Sequence, residues 1–322
     1  MKHIITISNA NTPGRIREFD YLKGVLIILV ISFHLVYIEH LYPYAKQVVY
    51  TFHMPAFLVI SGYLMNIAKP RGVFLNTLLG MAIPYIVMES GYVVMASMLP
   101  INEHIDHLTA GVFIHKLLLH PLGPYWYLHL LIICGATYYS IFRITALKVP
   151  LRIVLTGIIF YCYAHLAGML SFTHAFYFLA GATLRKHDVS FSAFFHPTAL
   201  SIAGFVLLIM HEENLSPAIL GGILIVWLSV SSCLVAYEYS HQSIRSILCF
   251  LGRNSLLLYI FSPIFTILCK QIVPYLAFDT TGILFLVASL AVCAGGSLAI
   301  GYATDLLGIS PLFFRKKQVL SL

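Results

Sequence analysis

Charge is what this sequence has least of. Twelve acidic and nineteen basic residues make up 10% of the 322 residues, against roughly 25% in a soluble domain. With 60% of residues apolar and a mean hydropathy of +0.89, a soluble enzyme, a disordered chain and a collagen-like fold are excluded. The six cysteines, Cys134, Cys162, Cys233, Cys249, Cys269 and Cys293, include no CxxC pair. They read as small hydrophobes rather than as disulfides, redox groups or metal ligands. Alternation of apolar and polar residues over about ten positions, the mark of a membrane β-strand, is also missing. The stretch from Gly24 to Val36 is close to continuously apolar instead. There is no internal repeat and no linker. No short apolar core with a small-residue cut site marks a signal peptide, so the first helix is expected to stay in the membrane.

What is present is a series of apolar stretches, near 22–40, 48–67, 75–99, 125–142, 151–169, 172–184, 198–210, 218–237, 247–268 and 282–307. At about 20 residues per crossing, ten helices consume about 200 residues, which matches the apolar inventory. The expected fold is an all-α integral membrane protein, a single polytopic domain over 1–322 built as one bundle of about ten transmembrane helices. Counting Lys and Arg in alternate connections places sixteen on one side and three on the other, Lys46, Lys116 and Lys270. The positive-inside rule then puts both termini in the cytoplasm. The formal charge of +7 does not imply nucleic acid, because in a membrane protein the placement of cations matters more than their sum. The longest outer connection, about residues 100–124, carries His104, His107, His115 and His120. Their spacings of three, eight and five fit no common metal site, and no metal is expected.

The first helix carries the most informative pattern. Lys23 and His34 are eleven residues apart, which at 100° per residue is within about 20° of three full turns, so the two share a face. Asp20 lies one turn below Lys23, placed to pair with it. A lone histidine in an apolar helix is commonly a hydrogen-bonded packing residue. Polar groups at this depth are nevertheless rare and usually face an interior cavity, and burial disfavours the charged form of an imidazole. A neutral imidazole is what a general base requires. Glu89, well inside the third helix, and His53, on the outer half of the second, are the candidates to orient it; Glu89 serves equally well as a structural partner within the bundle. The second helix contains Phe52-His53-Met54-Pro55-Ala56-Phe57 and Ser61-Gly62-Tyr63-Leu64, with Pro55 expected in its first turns, where a missing N–H does little harm.

Asp20-x-x-Lys23-Gly24, His34 ten intervening residues after the basic position, then His53-x-Pro55-x-Phe57 leading into Ser61-Gly62-Tyr63, resembles the membrane-bound acyltransferase-3 family, which includes bacterial O-acetylases of surface polysaccharides and relatives of fucose O-acetylase. Three later segments fit: Tyr125-Trp126-Tyr127-Leu128, Phe178-Leu179-Ala180-Gly181 before Arg185-Lys186, and Leu251-Gly252-Arg253-Asn254-Ser255 leading to Tyr259. The resemblance runs from about residue 15 to 265. It implies transfer of an acyl group, most often acetyl, from cytoplasmic acyl-CoA (acetyl-CoA) to a hydroxyl, commonly on a sugar of a glycan or lipid-linked precursor. The setting it implies is the bacterial cytoplasmic (inner) membrane, with membrane lipids around the chain and no bound cofactor. His34 falls on the family's essential histidine and Lys23 on its basic residue, usually Arg.

Two positions depart from the pattern. Ser262 precedes Pro263 where many members carry a histidine, and Thr77-Leu78-Leu79-Gly80 stands where a basic cluster usually precedes the proline, here Pro84. Lys69 and Arg71 are the remaining nearby cations for donor phosphates, together with Lys23. Trp126, Tyr127 and Tyr125 read either as an acceptor passage or as an interfacial aromatic belt, and Ser61 as a hydrogen-bonding or packing residue rather than a nucleophile. His129 and Asp305 are left without a role. A transporter or flippase for a small solute or lipid-linked sugar is the competing function; the absence of a repeat argues against it. A polysaccharide polymerase or ligase would be expected to carry a larger outer loop.

Overall fold

The structure, a computed structural model, describes residues 16–98 and 103–321. Among these it contains helices and no strand: α1 (Arg17–Phe33), α2 (Val36–Leu41), α3 (Pro43–Leu64), α4 (Arg71–Met98), α5 (Ala110–Leu118), α6 (Trp126–Phe142), α7 (Val149–His165), α8 (Phe172–Lys186), α9 (Phe191–Phe195), α10 (Ala199–Ile209), α11 (Leu220–Tyr239), α12 (Gln242–Arg253), α13 (Ser255–Cys269), α14 (Val273–Leu276), α15 (Ile283–Leu306) and α16 (Ser310–Phe313). Among the described residues four stretches are long and apolar enough to cross a membrane: Arg71–Met98, Leu220–Tyr239, Ser255–Leu276 and Ile283–Leu306. Ala110–Leu118 with Gly123–Phe142, bent by 40°, would form a fifth. Leu151, Val154, Ile158 and Tyr161 line one exposed stripe of α7, a face that lipid would cover. The chain is a multi-pass membrane protein. Lys2 and Arg15, which contribute to the charge asymmetry, lie outside the described residues, as does the start of the 100–124 connection.

Three expectations about local structure are corrected. The first stretch, expected as one helix over 22–40, breaks at His34, which caps α1 before α2 begins at Val36. The second helix begins at Pro43, upstream of its apolar run, because Tyr44, Ala45, Lys46 and Gln47 continue the helix with a polar turn. Pro55 is therefore interior, not in the first turns; interior prolines are tolerated in membrane helices where neighbours re-satisfy the freed carbonyl. The 100–124 connection contains α5, started by Thr109, whose side chain accepts a hydrogen bond from the Val112 N–H at 3.2 Å.

Contacts divide the described chain into two compact units, the first drawn from described residues in 16–60 and 184–299 with Ser321, the second from those in 61–98, 103–183 and 300–320. In the first, α1 is the central element, with Phe19, Leu22, Leu26, Ile27 and Ile31 buried. It packs on α12 so closely that a Cβ at Gly252 would stand 1.7 Å from the Asp20 carbonyl oxygen, and one at Gly24 would stand 2.0 Å from that of Leu248. Only glycine permits this backbone approach. Asn254 ends α12. Its Nδ2 donates to the Phe250 and Ser321 carbonyls, and its Oδ1 accepts from the Ser321 N–H at 2.8 Å.

The second unit is built from α4 to α8 and the C-terminal segment. Phe74 of α4 stacks on Tyr139 of α6, with centroids 3.9 Å apart. The C-terminal segment is held by Asp305, which accepts hydrogen bonds from the Ser310 hydroxyl and from the N–H groups of Val319 and Leu320. Phe314 is buried within it. Asp305 is a clamp for that segment.

Candidate functional site

In the first unit, Lys23 Nζ lies 3.1 Å from Asp20 Oδ1. The Lys23 side chain is partly exposed, whereas the Asp20 side chain is buried. An ion pair three residues apart on a helix restrains the ammonium and partly offsets its charge.

His34 is half-buried, and its imidazole turns back on α1. Nδ1 lies 2.7 Å from the Val30 carbonyl oxygen. A carbonyl only accepts, so Nδ1 carries the proton in that bond and Nε2 is the basic nitrogen of the neutral ring. The orienting bond that a catalytic histidine needs is thus supplied by the backbone of its own helix. His53 repeats the device, with Nδ1 2.6 Å from the Val49 carbonyl oxygen.

Between these two histidines stands Tyr50, which sequence reasoning did not single out. Its ring centroid is 6.4 Å from that of His34 and 5.2 Å from that of His53, and its hydroxyl donates to the Phe33 carbonyl at 3.1 Å. The signal was its position three residues before His53, on the same helical face. Tyr50 also forms part of the wall of a cavity of about 560 Å³, together with Lys46, Gln47 and Glu212. Lys46 is paired with Glu39 at 3.1 Å and sits 5.4 Å from the Tyr50 ring centroid. The ring cluster is therefore adjacent to a roomy, partly polar cavity of the same unit.

The second unit brings other sequence candidates together. Ser61 and Tyr127 share a hydrogen bond of 2.7 Å between their hydroxyl oxygens. Trp126 packs edge-on against His174, centroids 4.8 Å apart. A Cβ at Gly62 would stand 2.0 Å from the Phe178 carbonyl oxygen, so the Ser61-Gly62-Tyr63 and Phe178-Leu179-Ala180-Gly181 motifs are the two sides of one close helix contact.

Glu89 is fully buried. Its Oε1 accepts from the Leu122 N–H at 2.6 Å, while Oε2 has no hydrogen-bond partner among the described residues. The next N–H in the same turn, that of Gly123, donates to Glu103 Oε2 at 2.6 Å. Two carboxylates therefore hold the turn that launches α6. His129 donates from Nε2 to the Leu118 carbonyl at 2.8 Å, tying α6 to the end of α5.

Lys69 donates from Nζ to the Thr77 hydroxyl at 3.3 Å, and Arg71 opens α4 in an exposed position. Near this end of α4 the fold adds a cation that the linear sequence hides: Arg315 donates from Nε to Asn76 Oδ1 at 2.9 Å. Among the described residues no group of three or more His, Cys, Asp or Glu side chains is placed to hold a metal ion.

A family model described as an acyltransferase domain, that of the acyltransferase-3 family, matches residues 16–302. Nodulation protein NolL of Sinorhizobium fredii is 32% identical over 132 residues, covering 37% of this chain and 35% of that protein. Nodulation protein NolL of Mesorhizobium japonicum is 45% identical over 73 residues, covering 20% of this chain and 19% of its own length. The chain thus aligns with about a third or less of each of these relatives. No solved structure matches. Spanning α1 to the last turns of α15, the family match includes every motif described above, and the chain belongs to the acyltransferase-3 family of membrane acyltransferases.

Proposed function

We propose that this chain is an O-acyltransferase of the bacterial cytoplasmic (inner) membrane. It would move an acyl group, acetyl in the first instance, from acyl-CoA to a sugar hydroxyl of a cell-surface glycan or its lipid-linked precursor. In this reading residues 1–322 form one polytopic domain that crosses the bilayer about ten times, with both termini cytoplasmic.

The observation that carries the proposal is the hydrogen bond from His34 Nδ1 to Val30, which leaves Nε2 as the base. In the proposed reaction Nε2 takes the proton of the acceptor hydroxyl while its oxygen bonds to the thioester carbonyl carbon. The carbon–sulfur bond then breaks, and the coenzyme A thiolate recovers the proton from the imidazolium. General-base assistance of this kind contributes about 10²–10⁴-fold. Tyr50 and His53 stand beside the base as positioning residues, and the cavity at Tyr50 supports entry of a hydroxyl-bearing substrate. Lys23, restrained by Asp20, is assigned to the anionic donor.

In the second unit, Lys69 and Arg71 are assigned to donor phosphates, with Arg315 making up for the basic residues absent from Thr77 to Gly80. Trp126 and Tyr127 are assigned to the sugar, Ser61 to holding the Tyr127 hydroxyl, and Glu89 to positioning the turn before α6.

The test expresses wild type and His34→Ala at matched membrane levels and measures labelled acetyl on extracted glycans. Label absent from the variant is the expected result. Equal label in both rejects the assigned base, and uptake of donor without a modified product points to transport.

A further inference from the structure

The second unit contains an open cavity of about 310 Å³ beside Trp126, lined by the turn at 119–121, the start of α6, residues 168–171 and His174 of α8. Its volume falls at the lower end of the roughly 300–1,000 Å³ typical of small-molecule sites. One wall is the half-buried indole of Trp126, and three imidazoles, those of His120, His129 and His174, face the same space with Ser171.

The hydrogen-bonding of these groups within the protein is incomplete. His129 donates its Nε2 proton to Leu118, which leaves Nδ1 as an acceptor. His174 uses Nδ1 on the Ser171 hydroxyl at 2.9 Å, which leaves Nε2. His120 stacks on His115, centroids 4.7 Å apart, and its ring nitrogens bond to none of the described residues. The Trp126 indole N–H is likewise without a partner among the described residues. A neutral imidazole offers one donor or one acceptor at each nitrogen, and an aromatic face offers apolar contact.

A ligand that matches this wall has several hydroxyls able both to give and to accept, on a ring whose C–H faces are apolar. That is a pyranose. The absence of carboxylates and ammonium groups from the lining argues for a neutral sugar, and the missing metal geometry among the described residues argues against reading the three histidines as a metal site. Leu119, Leu130 and Met169 close the rest of the wall.

We propose that this cavity is a carbohydrate-binding subsite that holds a neutral sugar ring against Trp126, with His174, His129 and Ser171 as its hydrogen-bonding side chains. It rests on the acyltransferase reading and deepens it by giving the acceptor a neutral ring and a cavity of named residues, and it is tested by binding rather than by transfer. The chain has two tryptophans, and Trp227 lies in the first unit with its indole N–H donated to Phe194 at 3.1 Å. Trp227→Phe in lipid nanodiscs therefore leaves Trp126 as the sole tryptophan reporter.

Titration of that variant with methyl glucoside and with N-acetylglucosamine is expected to change the emission saturably. Adding His174→Ala or the exposed-site Ser171→Ala is expected to weaken binding by roughly tenfold, the equivalent of one lost hydrogen bond. A saturable change only with a glucosyl diacylglycerol placed in the disc, equally sensitive to His174→Ala, supports the same subsite with its sugar carried on lipid. No saturable change with any sugar overturns the proposal. So does a response unaltered by both substitutions, or one that decanol reproduces, which would mark an acyl-chain pocket. Repeating the titration in His34→Ala separates the two readings, since sugar binding there is expected to persist whatever happens to transfer.

Discussion

In the first unit the imidazole rings turn back on their own helices: half-buried His34 bonds to Val30 and buried His53 to Val49, each four residues away. In the second unit the buried carboxylate reaches across the chain, Glu89 to Leu122, and Ser61 reaches Tyr127, 66 residues on. A bond to the same helix fixes a ring and its tautomer without tying two elements together; at His34 the ring is held in this way and Nε2 is left as the basic nitrogen. A bond across elements satisfies a buried donor that water cannot reach, and its loss is felt by the fold. The proposed reading follows this contrast, with chemistry given to His34 and architecture to Glu89.

The sharpest way to break that contrast is to substitute on each side and compare yield with activity. His34→Ala should lower transfer by about 10²–10⁴-fold with folded yield and thermal midpoint close to wild type, measured on purified protein in nanodiscs. Gly62→Ala should act in the opposite sense: its new Cβ cannot be accommodated 2.0 Å from the Phe178 oxygen, and the overpacking costs about 1–3 kcal/mol or more, read as lost monodisperse protein. Glu89→Ala should destabilise by about 1–3 kcal/mol, because the Leu122 N–H is left buried and unpaired. Glu89→Gln, which keeps an acceptor, should be milder in the same melting assay. A Glu89→Ala protein that melts like wild type but has lost transfer would move Glu89 to the chemical side of the comparison. The smallest effects are expected from Tyr50→Phe, which removes one hydrogen bond worth about 0.5–1.5 kcal/mol and should reduce kcat by up to about tenfold. Lys23→Ala should raise KM for acyl-CoA with kcat nearly held.

How much of this was legible in the sequence depends on whether the signal is local. All ten apolar stretches fall on helices, since continuous apolarity and helical periodicity are properties of neighbouring residues, but two expected as single helices are divided: 22–40 at His34 and 247–268 at Asn254, between α12 and α13. Boundaries failed where polarity and helicity separate, as at Pro43 to Gln47 and in α5, whose start is set by the Thr109 cap. The Asp20–Lys23 pair was legible from spacing alone.

What could not be read were partners brought in from far along the chain. The link from Arg315 to Asn76 spans 239 residues, and Asp305 gained its role only when Val319 and Leu320 arrived beside it. The motif glycines could be named beforehand, but the reason for Gly252 and Gly62, a backbone too near for a side chain, belongs to packing. Tyr50 has only a weak local signal, its place one turn before His53, and a tyrosine near a membrane boundary is ordinarily part of an aromatic belt.

Chemical rescue tests the central claim most directly. Purified His34→Ala, reconstituted in nanodiscs with acetyl-CoA and an accepted glycan, should be nearly inactive and should recover transfer in proportion to added free-base imidazole, since the variant lacks only a proton acceptor. Transfer by the unsupplemented variant at the wild-type rate would contradict the assignment of His34 as the base.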